Sequence, residues 1–262
     1  MALENRYDFI MLFDVENGNP NGDPDAGNAP RIDSESGYGY VTDVCLKRKI
    51  RNYVELVKEG EAGYNILIKP DKALNSKFTA AYEAEGLKTK NNGRNEDDVK
   101  KARAYMCKNY YDVRTFGAVM STGNDPCGIV RGPVQLNFAR SISPIDIEDI
   151  TITRQARTTD ERQETGQTEM GKKSIIPYAL YRAEGYVSAA LANKTTDLSE
   201  ADLELLWEAI INMFENDHAA ARGKMAVRAL VVFKHDSELG CAPAWKLFDA
   251  VRISRRNPED GA

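Results

Sequence analysis

The chain reads as an α+β protein, a ferredoxin-like or RRM-type sandwich enlarged by insertions. Three segments predict it. Residues 7–15, Tyr-Asp-Phe-Ile-Met-Leu-Phe-Asp-Val, are short, aromatic-rich and continuously apolar, as a buried central strand is. Downstream, Leu46, Ile50, Tyr53, Val54 and Val57 recur at helical spacing. Residues 225–234 then read as a buried strand rich in Val and Leu. With the elements between them, the order is strand, helix, strand, strand, helix, strand.

After the first strand, residues 16–25 are dense in Asn, Gly, Asp and Pro, a composition made for turns. A helix follows over 42–59 with Thr42 or Asp43 as its cap. Arg48 points away from its apolar stripe, with Lys47 and Arg51 on one flank and Lys49 on the other. Residues 64–68 read as a short strand, and 70–85 and 96–109 as helices around a polar link. Residues 128–142 are extended but broken at Gly132-Pro133, because proline demands an edge or a bulge. Residues 151–176 mix β-branched and charged residues with little apolar periodicity, which suits a mobile hairpin. Residues 179–192 fit strand or helix, and Tyr, Val and an internal Gly favour strand. Ser199 and Asp202 are spaced as a capping box ahead of a helix carrying Leu203, Leu206, Trp207, Ile210, Ile211 and Phe214.

A length of 262 residues, 42% of them hydrophobic, suits one domain with insertions, and no Pro/Ser-rich linker or repeat divides it. The net charge of −5 argues against generic affinity for nucleic acid, so any such binding must rest on local charge. Cys45, Cys107, Cys127 and Cys241 form no Cys-x-x-Cys pair, and the histidines are His218 and His235, so no structural zinc site is expected. The start lacks an apolar signal core and no stretch approaches a membrane span, so a cytoplasmic, reduced protein away from membranes is expected.

Local charge is concentrated in Lys47, Arg48, Lys49 and Arg51, a cluster without an acidic residue inside it. Such a cluster offers a phosphate track or, alternatively, a solvated helix face. Residues 17–28 imitate a calcium loop, but the twelfth position is Asn28 and a strand precedes it, so a rigid turn is the better reading. Gly37-Tyr38-Gly39-Tyr40-Val41 imitates an RRM base-stacking motif, yet it lacks the basic residue and the last aromatic and reads as a Gly/Tyr-rich loop. Asp14, Asp23, Asp25 and Asp33 leave open a metal-dependent ribonuclease, against their use in backbone turns.

Several motifs occur in one order: Asn-Pro-Asn-Gly-Asp-Pro-Asp (19–25), Thr-Asp-Val-Cys-Leu-Lys-Arg-Lys-Ile-Arg (42–51), Tyr-Asp-Val-Arg-Thr-Phe-Gly-Ala-Val-Met (111–120), Arg-Gly-Pro-Val-Gln (131–135) and Met-Gly-Lys-Lys-Ser-Ile-Ile-Pro-Tyr (170–178). Over about residues 7–235 they resemble the multi-copy backbone subunit of type I-C CRISPR Cascade. The resemblance implies one RRM-like palm over 1–262, inserted helical fingers at 69–127 and a β-hairpin thumb at 148–177. It implies a non-catalytic scaffold that oligomerises along CRISPR RNA and presents the spacer to target DNA through the heteroduplex. Further copies of itself, the crRNA-end-binding subunit and the large subunit are the implied partners, with no cofactor. The candidate RNA contacts are Asn21, Arg31, Lys47, Arg48, Lys49, Arg51 and Arg131, with Thr168, Met170, Lys172 and Lys173 in the thumb. Met170 is the candidate wedge between bases, flanked by lysines for phosphate. Type III relatives of the fold cleave RNA with a backbone-subunit Asp, which keeps the ribonuclease alternative in view.

Overall fold

The computed structural model describes residues 2–88, 95–154 and 169–254. The chain begins with β1 (Tyr7–Gly18), the two-residue strands β2 (Gly22–Asp23) and β3 (Ala29–Pro30), and β4 (Tyr38–Val41). Helices α1 (Asp43–Val57), α2 (Leu74–Ala84), α3 (Glu96–Asn109) and α4 (Tyr111–Phe116) follow. Then come β5 (Gly117–Met120), β6 (Gly128–Arg131), β7 (Val134–Leu136), β8 (Ala139–Pro144), β9 (Glu148–Arg154) and β10 (Glu169–Val187). A short helical turn at 189–196 leads into α5 (Glu200–Asn212), β11 (Lys224–Lys234) and α6 (Ala244–Ala250).

The main sheet has seven strands, running β11-β1-β10-β8-β4 with β7 and β9 also paired to β10. Its pairings are antiparallel. This is the α+β sandwich that the element order predicts. β1 lies between two strands, which is why its sequence is apolar at successive positions instead of alternating. One face packs on α1 and α5: Leu46, Ile50 and Val54 meet Leu203, Leu206 and Ile210 over Phe9, Phe13 and Tyr181. Phe13 stacks on Tyr181 at 5.3 Å, and Trp207 stands edge-on to Phe9 at 5.0 Å. The Ser199–Asp202 capping box forms as its spacing predicts.

A second core, built from Phe78, Tyr82, Met106, Cys127 and Val130, holds α2, α3 and the β5–β6 pair together. Arg114 docks this insert on the palm. Its guanidinium donates to Asp202 at 2.8 and 3.0 Å, and to the carbonyls of Gly63, Cys107 and Lys108 at 2.6, 3.3 and 3.4 Å.

Several expectations are corrected. Residues 64–68 form no strand beyond a single bridge at Asn65, because the Leu67 and Ile68 amides donate instead to the Asp112 carboxylate at 2.8 and 3.1 Å. β11 is an edge strand whose side chains are mostly half-buried, and only Met225 among them is buried. The Gly/Tyr-rich segment is the edge strand β4, not a loop. Thr42, not Asp43, caps α1, its hydroxyl accepting from the Cys45 amide at 3.4 Å.

Candidate nucleic-acid interface

The Asn/Gly/Asp loop is stapled to three parts of the fold. Asn19 Nδ2 donates to the Asn28 carbonyl at 2.7 Å, closing the loop on itself, and the Asn19 amide donates to the Ala221 carbonyl at 2.9 Å. Asn21 Oδ1 accepts from both the amide and the hydroxyl of Thr42 at 2.9 Å, which ties the loop to the cap of α1. Asp23 accepts from the Asp25 amide at 3.2 Å and faces Arg31 at 3.5 Å. Of the asparagines that imitate calcium ligands, Asn21 thus spends its side-chain oxygen on Thr42 and Asn19 spends its side-chain nitrogen on the loop backbone. Gly18 is obligatory here: a Cβ on it would lie 1.8 Å from the Arg222 carbonyl oxygen.

The helix cations do not stand unopposed, since three of the four have acidic partners. Lys47 pairs with Asp43 one turn back at 2.8 Å. Lys49 is buried against Asp217, which also holds Arg222. Burial pulls the Lys49 ammonium below the usual lysine range, and the Asp217 hydrogen bond offsets part of that. Arg51 donates to Asp112 at 2.8 Å and lies over the Phe116 ring. Lys49 and Arg51 therefore hold α1 to its surroundings, while Arg48 is the exposed cation of the group. Arg31, mostly covered, leans on Asp23, so it too is anchored beside the loop.

β9 and the first part of β10 form a two-stranded antiparallel arm, with Met170 opposite Thr153 and Lys172 opposite Thr151. Strand alternation puts Met170 and Lys172 on one face and Lys173 on the other. Met170 is 76% exposed. Lys172 pairs with Asp149 at 2.7 Å, and that lysine together with Ser174 holds the Asp149 carboxyl below the usual range. Lys173 donates to the Ala220 carbonyl at 3.1 Å, across from the loop. The result is a groove of about 130 Å³ with Asn19, Gly27 and Asn28 on one wall and Lys172, Lys173 and Ser174 on the other. Thr168 and the rest of the 155–168 segment lie outside the described residues.

A loop clamped to a basic helix, facing an arm that carries lysines, is a layout against which the whole sequence can be compared. The family model of CRISPR-associated protein Cas7 matches residues 5–262. The chain belongs to the Cas7 family. A CRISPR-associated protein Cas7 of Haloferax volcanii is 26% identical over 232 residues, covering 81% of this chain and 66% of that relative. The chain thus spans a little under two thirds of that relative's length. Among solved structures, a chain of a "CRISPR RNA-guided surveillance complex, pre-nicking" superposes with a TM-score of 0.53 at 16% identity, over 87% of this chain and 75% of that one. A chain of a "CRISPR RNA-guided surveillance complex" gives 0.50 at 12% identity, over 97% and 78%. At these identities the likeness is one of fold.

In this Cas7-family chain Asp14, Asp23 and Asp33 each have a partner of their own. Asp14 accepts from Arg228 at 2.7 Å, and the Ser36 hydroxyl and Glu35 amide hold Asp33 below the usual carboxylate range. No group of three or more His, Cys, Asp and Glu side chains is placed to hold a metal ion among the described residues. Arg131 stands apart from the groove. The Pro133 carbonyl accepts from the Ser188 amide just past β10, so the strand separates Arg131 from Lys173 by roughly 45 Å. Sequence reading missed Asn19 and Asn28 as groove walls, although their place in the loop was the available signal. No described helix is long and apolar enough to cross a membrane.

Proposed function

We propose that this chain is a non-catalytic backbone subunit of a type I-C CRISPR RNA-guided complex, polymerising along CRISPR RNA and leaving spacer bases free to pair with target DNA. Family membership supports the class, and the names of the solved relatives support an RNA-guided assembly. The observation that carries it is the groove between the stapled loop and the lysine arm, with Arg48 exposed on the adjoining helix. Its lining suits a sugar-phosphate backbone: a closed Asn/Gly loop that lets the chain approach on one wall and lysines on the other, with no constellation for reading bases among the described residues. Sequence is then read by base pairing and not by the protein. In this reading residues 69–127 are fingers, 148–177 are the thumb, and Met170 at its exposed face separates bases of the bound RNA. The crRNA-end-binding and large subunits, and the next copy of the chain, are its partners in the cytoplasm.

The test is RNA binding by the purified chain. Arg48→Ala with Lys172→Ala should weaken binding evenly across sequences and flatten its salt dependence by about one unit of slope per lost contact. A folded double variant with wild-type affinity and slope would move the RNA elsewhere.

A further inference from the structure

The face of the sheet opposite α1 and α5 carries a second set of groups that the groove does not use. Two open grooves adjoin on it along the β7–β8 side. The first, of about 440 Å³, is flanked by Arg131 and Lys194 and floored by Pro133 and Tyr186. The second, of about 750 Å³, is lined by Tyr38, Tyr40, Phe138 and Arg140. Asn137 separates them, its Nδ2 donating to the Tyr186 hydroxyl at 3.1 Å. Register places Tyr186, Arg140 and Tyr40 on one face, since Tyr186 lies opposite Gln135, and Arg140 lies opposite both Arg182 and Tyr40, while Arg131 on β6 and Lys194 in the helical turn stand at its margin.

The chemistry along this track is specific. Phe138 is 56% exposed and its ring lies within 5° of parallel to Tyr40, at 6.2 Å. The Arg140 guanidinium sits 4.8 Å from the Tyr38 ring centroid, steadied by Ser36 at 2.9 Å and Asp33 at 3.6 Å. At the other end Arg131 and Lys194 are exposed and make no ion pair among the described residues. A chain with a net charge of −5 has carboxylates to spare, so two cations left without a partner beside one groove are a departure from its background. Rings that offer stacking faces, interleaved with cations that offer phosphate contacts, are what a single-stranded polynucleotide requires and what an apolar protein partner does not. The last helix covers this face near Arg182, Tyr186 and Phe233, and among the described residues the ring cluster around Phe138 stays open.

We infer that this track binds a single-stranded polynucleotide, with bases stacked on Phe138, Tyr40 and Tyr38 and phosphates held by Arg131 and Lys194. It is a different place from the groove at the loop and arm, and it stands whether or not RNA lies in that groove. Single-stranded DNA and RNA share the chemistry required.

Photo-crosslinking with halogenated-uracil oligonucleotides of about ten nucleotides, one DNA and one RNA, tests it on the full chain carrying Arg48→Ala and Lys172→Ala. Peptides containing Phe138 and Tyr186 should crosslink with at least one probe, and the preferred probe names the source. Phe138→Ala should cut the yield about tenfold, and Lys194→Ala severalfold. Phe138 is solvent-facing and Lys194 unpaired, so both variants should fold. Absence of crosslinks in both peptides with both probes would overturn the inference, as would yields indifferent to both substitutions, the result expected if a second copy of the chain covers this face. RNA affinity and salt slope left unchanged by Arg48→Ala and Lys172→Ala, with the Phe138 crosslink present, would refute only the function proposed for the groove.

Discussion

Among the described residues Arg114 is the most heavily bonded cation, and replacing it should show how the insert is held. Arg114→Met keeps a side chain of similar length against Tyr64 and Tyr111, over whose rings the guanidinium lies at 5.2 and 5.4 Å. It removes both hydrogen bonds to Asp202, a side chain only 5% exposed, and the donors to three carbonyls. A buried carboxylate left without its counter-ion costs about 3–5 kcal/mol. Against a total stability of about 5–15 kcal/mol, that is a large fraction. Urea unfolding followed by the fluorescence of Trp207, which packs in the palm, should show the loss. Adding Asp202→Asn removes the stranded charge while retaining a capping side chain, so the double variant should cost less than the sum of the singles by at least about 1 kcal/mol. Burial raises the Asp202 carboxyl, but the Arg114 hydrogen bond and charge and the Ser199 bonds outweigh it and leave it below the usual range. A depressed folded value means that the stabilisation is present above an unfolded pKa of about 3.9 and is lost as pH falls through the folded value. The wild type should therefore keep this stabilisation down to about pH 4, whereas in Arg114→Met burial without the counter-ion raises the Asp202 carboxyl, so the gap should be widest at about pH 7 and narrow as acid protonates the stranded carboxylate. A single variant costing under about 1 kcal/mol, or strict additivity, would refute the docking role.

Lys49→Ala should lower stability by about 3 kcal/mol and leave the salt slope of RNA binding unchanged, whereas Arg48→Ala should do the reverse; unfolding curves and salt titrations separate them. Gly18→Ala forces a Cβ onto the Arg222 carbonyl and should lower the melting temperature, at a cost of about 2 kcal/mol or more, and weaken RNA binding with it. Asp23→Asn, Asp25→Asn and Asp33→Asn should each leave RNA complexes intact, and the wild type with Mg²⁺ should leave guide-paired RNA uncut; cleavage lost on any one change would establish a nuclease. Met170→Gly should keep assembly on RNA but blur the periodic chemical reactivity of the bound nucleotides, and an unaltered pattern would remove Met170 from the wedge role.

What could be read from the sequence was what neighbours along the chain decide. The apolar run of β1, the Thr42 region as a cap, and the Ser199–Asp202 box all depend on residues a few positions apart, and all three formed. The roles of the helix cations depended on partners far away: Asp217 is 168 residues from Lys49, and Asp112 is 61 from Arg51. Counting only nearby acids made a cluster look unopposed in which two cations anchor the helix. Asp112 also took the amides of residues 67 and 68, which is why a β-prone segment makes no strand. The alternation of Tyr38 and Tyr40 with buried Gly39 and Val41 was a strand signal, masked by its shortness and its glycines.

β10 carries a consequence of its own. The same strand pairs with β9 from Glu169 to Ile175 and with β1 from Ile176 to Val187, so arm and sheet share one uninterrupted pleat. The parity of the sheet is then inherited by the arm. Inserting one residue near Pro177 would exchange the faces of Met170 and Lys173, while inserting two would restore them and carry the arm outward by about 7 Å. Reach and facing are thus coupled, and the arm can lengthen without losing its orientation only in two-residue steps. Variation in its length among chains that keep this architecture should therefore be even-numbered.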